Sequence, residues 1–125
     1  MNLLLDTHVV LWWLDDALTL SSRARAAITA AENLVFVSAA SVWEIRIKHA
    51  LGKLVIPANF KDVLAAQPFF FLDITPEHAH AVSDLPPVHR DPFDRMLIAQ
   101  ARTQGLTLVT RDARFKDYEL PLLDA

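Results

Sequence analysis

Apolar residues fall along this chain in two rhythms, short unbroken runs and longer stretches at helical spacing, and the two alternate. Leu3-Leu4-Leu5 is a run of the first kind and predicts a buried strand that stops at a single carboxylate, Asp6. Residues 9–14, Val-Val-Leu-Trp-Trp-Leu, predict a helix that is apolar all round, where one stripe suffices for packing on a sheet. Such a helix is either deeply buried or offers a second face, here Val9, Val10, Trp12 and Trp13, to a second copy or a protein partner. Ser21-Ser22 opens an Ala-rich helix to about residue 32, and Leu34-Val35-Phe36-Val37 predicts a second strand. From Ser41 the positions of Val42, Trp43, Ile45, Ile47 and Leu51 predict a helix that Gly52 closes.

The second half repeats the alternation. Residues 54–56 predict a small edge element, and Asn59 caps a helix through residue 64. Pro68 breaks that helix before a third strand over residues 69–74, and Thr75-Pro76 starts the next helix. Residues 85–92, Leu-Pro-Pro-Val-His-Arg-Asp-Pro, form the one clear loop. A helix over residues 93–104 comes next, closed by Gly105, then a strand over 106–110 and a last β-like piece over 120–123. The pattern predicts one α/β domain over residues 1–125, a central, mainly parallel sheet of four to five strands with helices on both faces.

Composition narrows the chemistry. With 125 residues, 53% of them apolar and 22% charged, the chain has a core of its own and is not disordered. No cysteine is present, which excludes disulfides and thiolate metal sites. No basic stretch precedes the first apolar run and none is long enough to span a bilayer, so a soluble, cytoplasmic protein without membrane contact is expected. The net charge of −3 gives no general basic coat for nucleic acid, although a local patch can still steer one. Only Gly52 and Gly105 occur as glycines, which excludes a Gly-rich phosphate cradle.

Four acids stand at comparable places. Asp6 and Asp112 come after strands, while Glu44 and Asp94 lie in the first turns of the helices predicted after strand two and after the Pro-rich loop. Each has an ordinary explanation: Asp6 as a helix N-cap, Ser41 to Glu44 as a capping box, Asp94 as an acid favoured by a helix dipole behind Asp91 as N-cap, and Asp112 as a turn residue. Capping, however, does not require all four to share the rim where strands end and helices begin. Two carboxylates about 5 Å apart repel by roughly 3 kcal/mol at an effective dielectric of about 20. A cluster of four therefore raises its own pKa values or demands a cation, and Mg²⁺ or Mn²⁺ suits an all-oxygen set. Hydrolysis of a phosphodiester is the reaction such a site performs.

The runs Leu5-Asp6-Thr7-His8 and Leu108-Val109-Thr110-Arg111-Asp112, the Glu44 helix and the block His89-Arg90-Asp91-Pro92-Phe93-Asp94-Arg95-Met96-Leu97-Ile98-Ala99-Gln100-Ala101 resemble PIN-domain proteins. Within that family the chain is most similar to the VapC-type toxins of type II toxin–antitoxin pairs, over nearly its whole length. The resemblance implies a PIN-like three-layer fold. It also implies a catalytic, metal-binding quartet of Asp6, Glu44, Asp94 and Asp112 holding Mg²⁺ or Mn²⁺. It further implies an RNA substrate, a homodimer and a small antitoxin over the site. Thr7 and Thr110 match the small hydroxyl residues beside the first and last acids, and Asp91 is a substitute or helper for Asp112.

Around the acids, Arg90, Arg95, Arg111 and Arg114 either pair with them or grip an RNA backbone, with Arg46 and Lys48 extending the track. His8 and His89 lie near the acids in sequence and are candidates for substrate contact, whereas His78 and His80, two apart on a helix, do not make a zinc pair. Trp43 reads as core. Other readings stand beside the nuclease. An aspartate-dependent phosphatase wants an acid where His8 stands, a phosphoacceptor domain wants an acidic pair earlier than Asp15-Asp16, and a silent binding module needs no metal.

Overall fold

The computed structural model describes residues 1–125. Three leucines with no exposure form the central strand, β1 (Asn2–Leu5), which pairs in parallel with β2 (Leu34–Ser38) on one side and β4 (Thr107–Thr110) on the other. The strands β3 (Phe70–Leu72) and β5 (Leu122–Asp124) form the edges, giving the wholly parallel order β3-β2-β1-β4-β5. The order reverses between β1 and β4, the switch point at which open α/β sheets place their ligands.

Alternation along the strands divides the core. Leu3 and Leu5, Val35 and Val37, Val109 and Leu123 pack with α1 (Thr7–Leu14), α2 (Ser22–Thr29), α3 (Ala39–Ala50) and α4 (Phe60–Ala65). Leu4 and Leu108 face the other way, onto α6 (Pro92–Gln104) and the 3-10 turn Ala113–Asp117, with Phe36, Leu72 and α5 (Pro76–Val82) at that layer's margin. The result is three layers, helices on each side of one sheet. Full burial of a leucine contributes roughly 1.5–3 kcal/mol, so β1 alone anchors both layers.

Several expectations change. The α3 helix begins directly at the end of β2, with Ser38 rather than Ser41 as N-cap, because the Ser38 hydroxyl accepts from the Ala40 N–H at 3.0 Å. The Ser41–Glu44 capping box is therefore absent, and Glu44 lies in the second turn. Residues 54–56 form no strand; Leu54 and Ile56 pack on the core as irregular chain. The third strand is shorter than expected, the last one lies about two residues later, and α2 ends at Thr29.

The first helix is part core and part half-buried surface. Val9 and Val10 have no exposure, Trp13 Nε1 donates to Gln67 Oε1 at 3.0 Å, and the Arg111 guanidinium lies 4.6 Å over the Trp12 ring. Val9 and Val10 thus belong to the core, while Leu11, Trp12, Trp13 and Leu14 pack against it and stay half-buried. Trp43, read as core, is instead 60% exposed, beside Phe93 at 5.3 Å between ring centroids.

Candidate active site

The four acids meet. Asp6, Glu44, Asp94 and Asp112 line one cavity of about 390 Å³ with His8, Trp12, Lys48, Asp91, Arg111 and Arg114. The cavity lies beyond the carboxyl ends of β1 and β4, where each strand gives way to a helix or turn.

Asp6 is fixed most firmly. Its Oδ1 accepts from the Thr7 N–H at 2.7 Å and its Oδ2 from the Thr110 hydroxyl at 2.8 Å. The same Thr110 hydroxyl accepts from the Asp112 N–H at 3.1 Å, so one side chain ties the first acid to the fourth. Thr7 donates its hydroxyl to Ser41 at 3.0 Å and thereby joins the start of α1 to α3, the helix that carries Glu44. Burial, outweighing the Thr110 hydrogen bond, raises the Asp6 pKa.

Glu44 is buried with one oxygen on Lys48 Nζ at 2.7 Å and the other, Oε1, without a partner. That hydrogen bond raises the Lys48 pKa. Asp112 caps the 3-10 turn through the Arg114 N–H and is gripped by the Arg114 guanidinium, Nη2 to Oδ2 2.7 Å, which holds its pKa down to about 2. Asp94 lacks such a partner cation. Burial, then the charges of Asp6, Asp91, Glu44 and Asp112, push its carboxyl up to about 8. Two acids of one cavity are thus driven apart by their surroundings.

Asp91 serves as N-cap of α6, accepting from the N–H groups of Phe93 at 2.8 Å and Asp94 at 3.2 Å, while still bordering the cavity. The arginines divide. Arg111 and Arg114 border the acids, although Arg111 Nη2 is engaged with the carbonyls of Thr19 and Ala125. Arg95 is engaged within the chain: its guanidinium donates to the carbonyls of Val82, Leu85, Pro86 and His89 and stitches the Pro-rich loop to α6. Arg90 lines a separate apolar hollow with Trp43, Phe93 and Met96. His78 is the capping-box partner of Thr75, and Lys48 rather than Arg46 reaches the cavity.

Sequence reasoning gave His89 only a substrate contact. The ring is buried and reaches Asp94 at 2.9 Å and Asp112 at 3.3 Å, and one ligand atom from each of these three residues falls within 4.8 Å of the others. In the sequence its only signal is nearness to Asp94.

The donor set fits a hard divalent cation. Glu44 offers a buried oxygen with no partner, and the Asp94 carboxyl, raised by burial and by the neighbouring acids, would be relieved by a positive charge. One consequence is measurable on the protein alone. Between the ordinary 3.8 and about 8, the folded chain keeps on Asp94 a proton that the unfolded chain has lost. Stability in EDTA is therefore expected to fall as pH rises through that window and to level off above it. A melting series from about pH 5 to pH 8.5 checks this. Asp94→Asn should flatten the slope, and an identical slope in the variant would remove Asp94 as its source.

The match to the PIN domain family model spans residues 3–120. The chain is 34% identical over 123 residues to Ribonuclease VapC22 of Mycobacterium tuberculosis, covering 96% of this chain and 94% of that one. In three dimensions it is similar to VapBC2 from Rickettsia felis, a complex bound to a DNA fragment from its promoter, with a TM-score of 0.75, 16% identity, and 99% and 98% of the two chains covered. It is also similar to FitAcB from Neisseria gonorrhoeae, with a TM-score of 0.67, 22% identity and 97% and 96% coverage. At these identities the structural likeness shows the fold.

Proposed function

The chain belongs to the PIN-domain family, and on that footing we propose that it is a metal-dependent endoribonuclease, the toxin of a toxin–antitoxin pair. One observation carries the reading: four acids from separate segments line a single cavity at the sheet's switch point, one with a buried, unpartnered oxygen. Asp6, Glu44, Asp94 and Asp112 would hold Mg²⁺ or Mn²⁺. Such an ion supplies an activated water and neutralises charge gathering on the phosphoryl oxygens.

The chain's own residues prepare that chemistry. Thr110 and the Thr7 N–H aim Asp6, and Thr110 keeps Asp112 in register with it. Lys48 offsets the charge of Glu44 on one side and the exposed Arg114 that of Asp112 on the other. These two cations, at the margins of an acidic cavity, draw the RNA backbone toward it. An aspartyl-phosphate route is less well supported, because it wants an acid at the second position after Asp6, where this chain has His8.

The similar structures from Rickettsia felis and Neisseria gonorrhoeae are VapBC2 and FitAcB, and another, from Klebsiella pneumoniae, is a toxin–antitoxin complex. A small antitoxin that covers the acidic cavity is the partner this reading implies, with the toxin itself a homodimer. No helix is long and apolar enough to cross a membrane. The test is direct: the purified chain, freed of any partner, should cleave RNA with Mg²⁺ or Mn²⁺ and stop on addition of EDTA. Equal cleavage in EDTA would remove the metal from the mechanism.

A further inference from the structure

His89 is held from every side. Its ring packs on Phe115 with centroids 5.5 Å apart, and its main-chain N–H donates to Tyr118 Oη at 2.8 Å. Its carbonyl accepts from Arg95 Nη1 at 3.2 Å, and Nδ1 accepts from the Asp91 N–H at 3.2 Å. A ring nitrogen that accepts from a main-chain N–H carries no proton, so the proton stands on Nε2. Nε2 in turn is hydrogen-bonded to Asp112 Oδ2 at 3.3 Å and lies 2.9 Å from Asp94 Oδ2, off the direction of its N–H, so it faces two acids carried by different elements.

From this geometry we infer that His89 is a positioning residue, a fixed Nε2–H donor that holds the Asp112 carboxylate turned toward Asp94, so that the two converge on a divalent cation that His89 itself does not ligate. The inference rests on the reading of the acids as a cation site. The competing role, His89 as a ligand beside Asp94 and Asp112, requires a bare Nε2 and a proton on Nδ1. That proton would face the Asp91 N–H at 3.2 Å, donor against donor, and Tyr118 and Arg95 hold the His89 main chain in place on either side. Hydrogen bonding a metal's carboxylates to fix their direction is a recurrent way to raise affinity.

Two measurements decide it. Histidine-¹⁵N-labelled protein gives the tautomer of each ring, with the His89 signals identified by their loss in His89→Gln. The expected result is a protonated Nε2 and an unprotonated Nδ1, both in EDTA and with Mg²⁺; an Nδ1–H ring in either state, or loss of the Nε2 proton on adding Mg²⁺, overturns the donor role. Mn²⁺ binding, tracked by the electron paramagnetic resonance of the free ion, should weaken roughly 10- to 100-fold in His89→Ala and recover in part in His89→Gln, which keeps an N–H donor. Parent and His89→Ala binding Mn²⁺ equally would overturn the positioning role and leave the cation site intact. No Mn²⁺ binding by the parent would overturn both.

Discussion

Asp6→Asn is expected to lower RNA cleavage by about a hundred- to a thousandfold, the scale on which removing one group that stabilises charge at a reacting centre acts. Asparagine keeps the shape: its oxygen still accepts from the Thr7 N–H, and its amide still meets the Thr110 hydroxyl. What goes is one negative charge, 5% exposed, at the centre of the cavity. The same loss has a second, opposite effect. Burial raises the Asp6 pKa, so its ionised form is a cost to the fold when no cation offsets it. The variant is therefore expected to melt higher than the parent in EDTA while being far less active. Unchanged cleavage by a folded Asp6→Asn would end the proposed mechanism, and a lower melting temperature would contradict the electrostatic account of the site.

The largest effect on stability is expected at Phe115. It has no exposure, it belongs to the core layer of Leu4, Leu97 and Leu108, and it backs the His89 ring at 5.5 Å. Truncating a buried phenylalanine costs about 3–5 kcal/mol, through lost transfer energy and the cavity left behind. For a chain of this size that lowers Tm by on the order of 10 °C or more. Phe70→Ala, on an edge strand and 54% exposed, serves as the control and should cost about 1 kcal/mol or less. Thermal melts of the two variants check this. Similar losses in both would mean that the layer under His89 is not a packed core.

How much of this was legible in the chain depends on the range of the interactions. The strand before Asp6 and the helix behind Asp91-Pro92 are written locally, in apolar runs and caps, and both stand where the pattern put them. The rim that gathers the acids was legible from strand–helix alternation alone. The start of α3 was misplaced because Ser38 ends a strand and caps a helix at once, leaving no loop to see, while Ser41 to Glu44 mimics a capping box. Glu44 still reaches the cavity, because a helix that leaves directly from the strand end passes the same rim.

Other roles were set by distant partners and were not legible. Arg95 stands one residue from Asp94 and invites a functional reading, yet four carbonyls from residues 82 to 89 take up its donors. The tryptophans of the first helix meet Gln67 and Arg111, far along the chain, contacts that no local pattern announces. His89 depends on Asp91, Phe115 and Tyr118 together, and no local spacing announces that combination.

The central claim is that the acids form a cation site, and direct titration of Mn²⁺ tests it without reference to RNA. Purified protein stripped with EDTA and then freed of chelator should take up Mn²⁺ saturably, and Asp6→Asn should bind it at least about tenfold more weakly. Saturable uptake of equal affinity by both proteins, or none by the parent, would contradict the account.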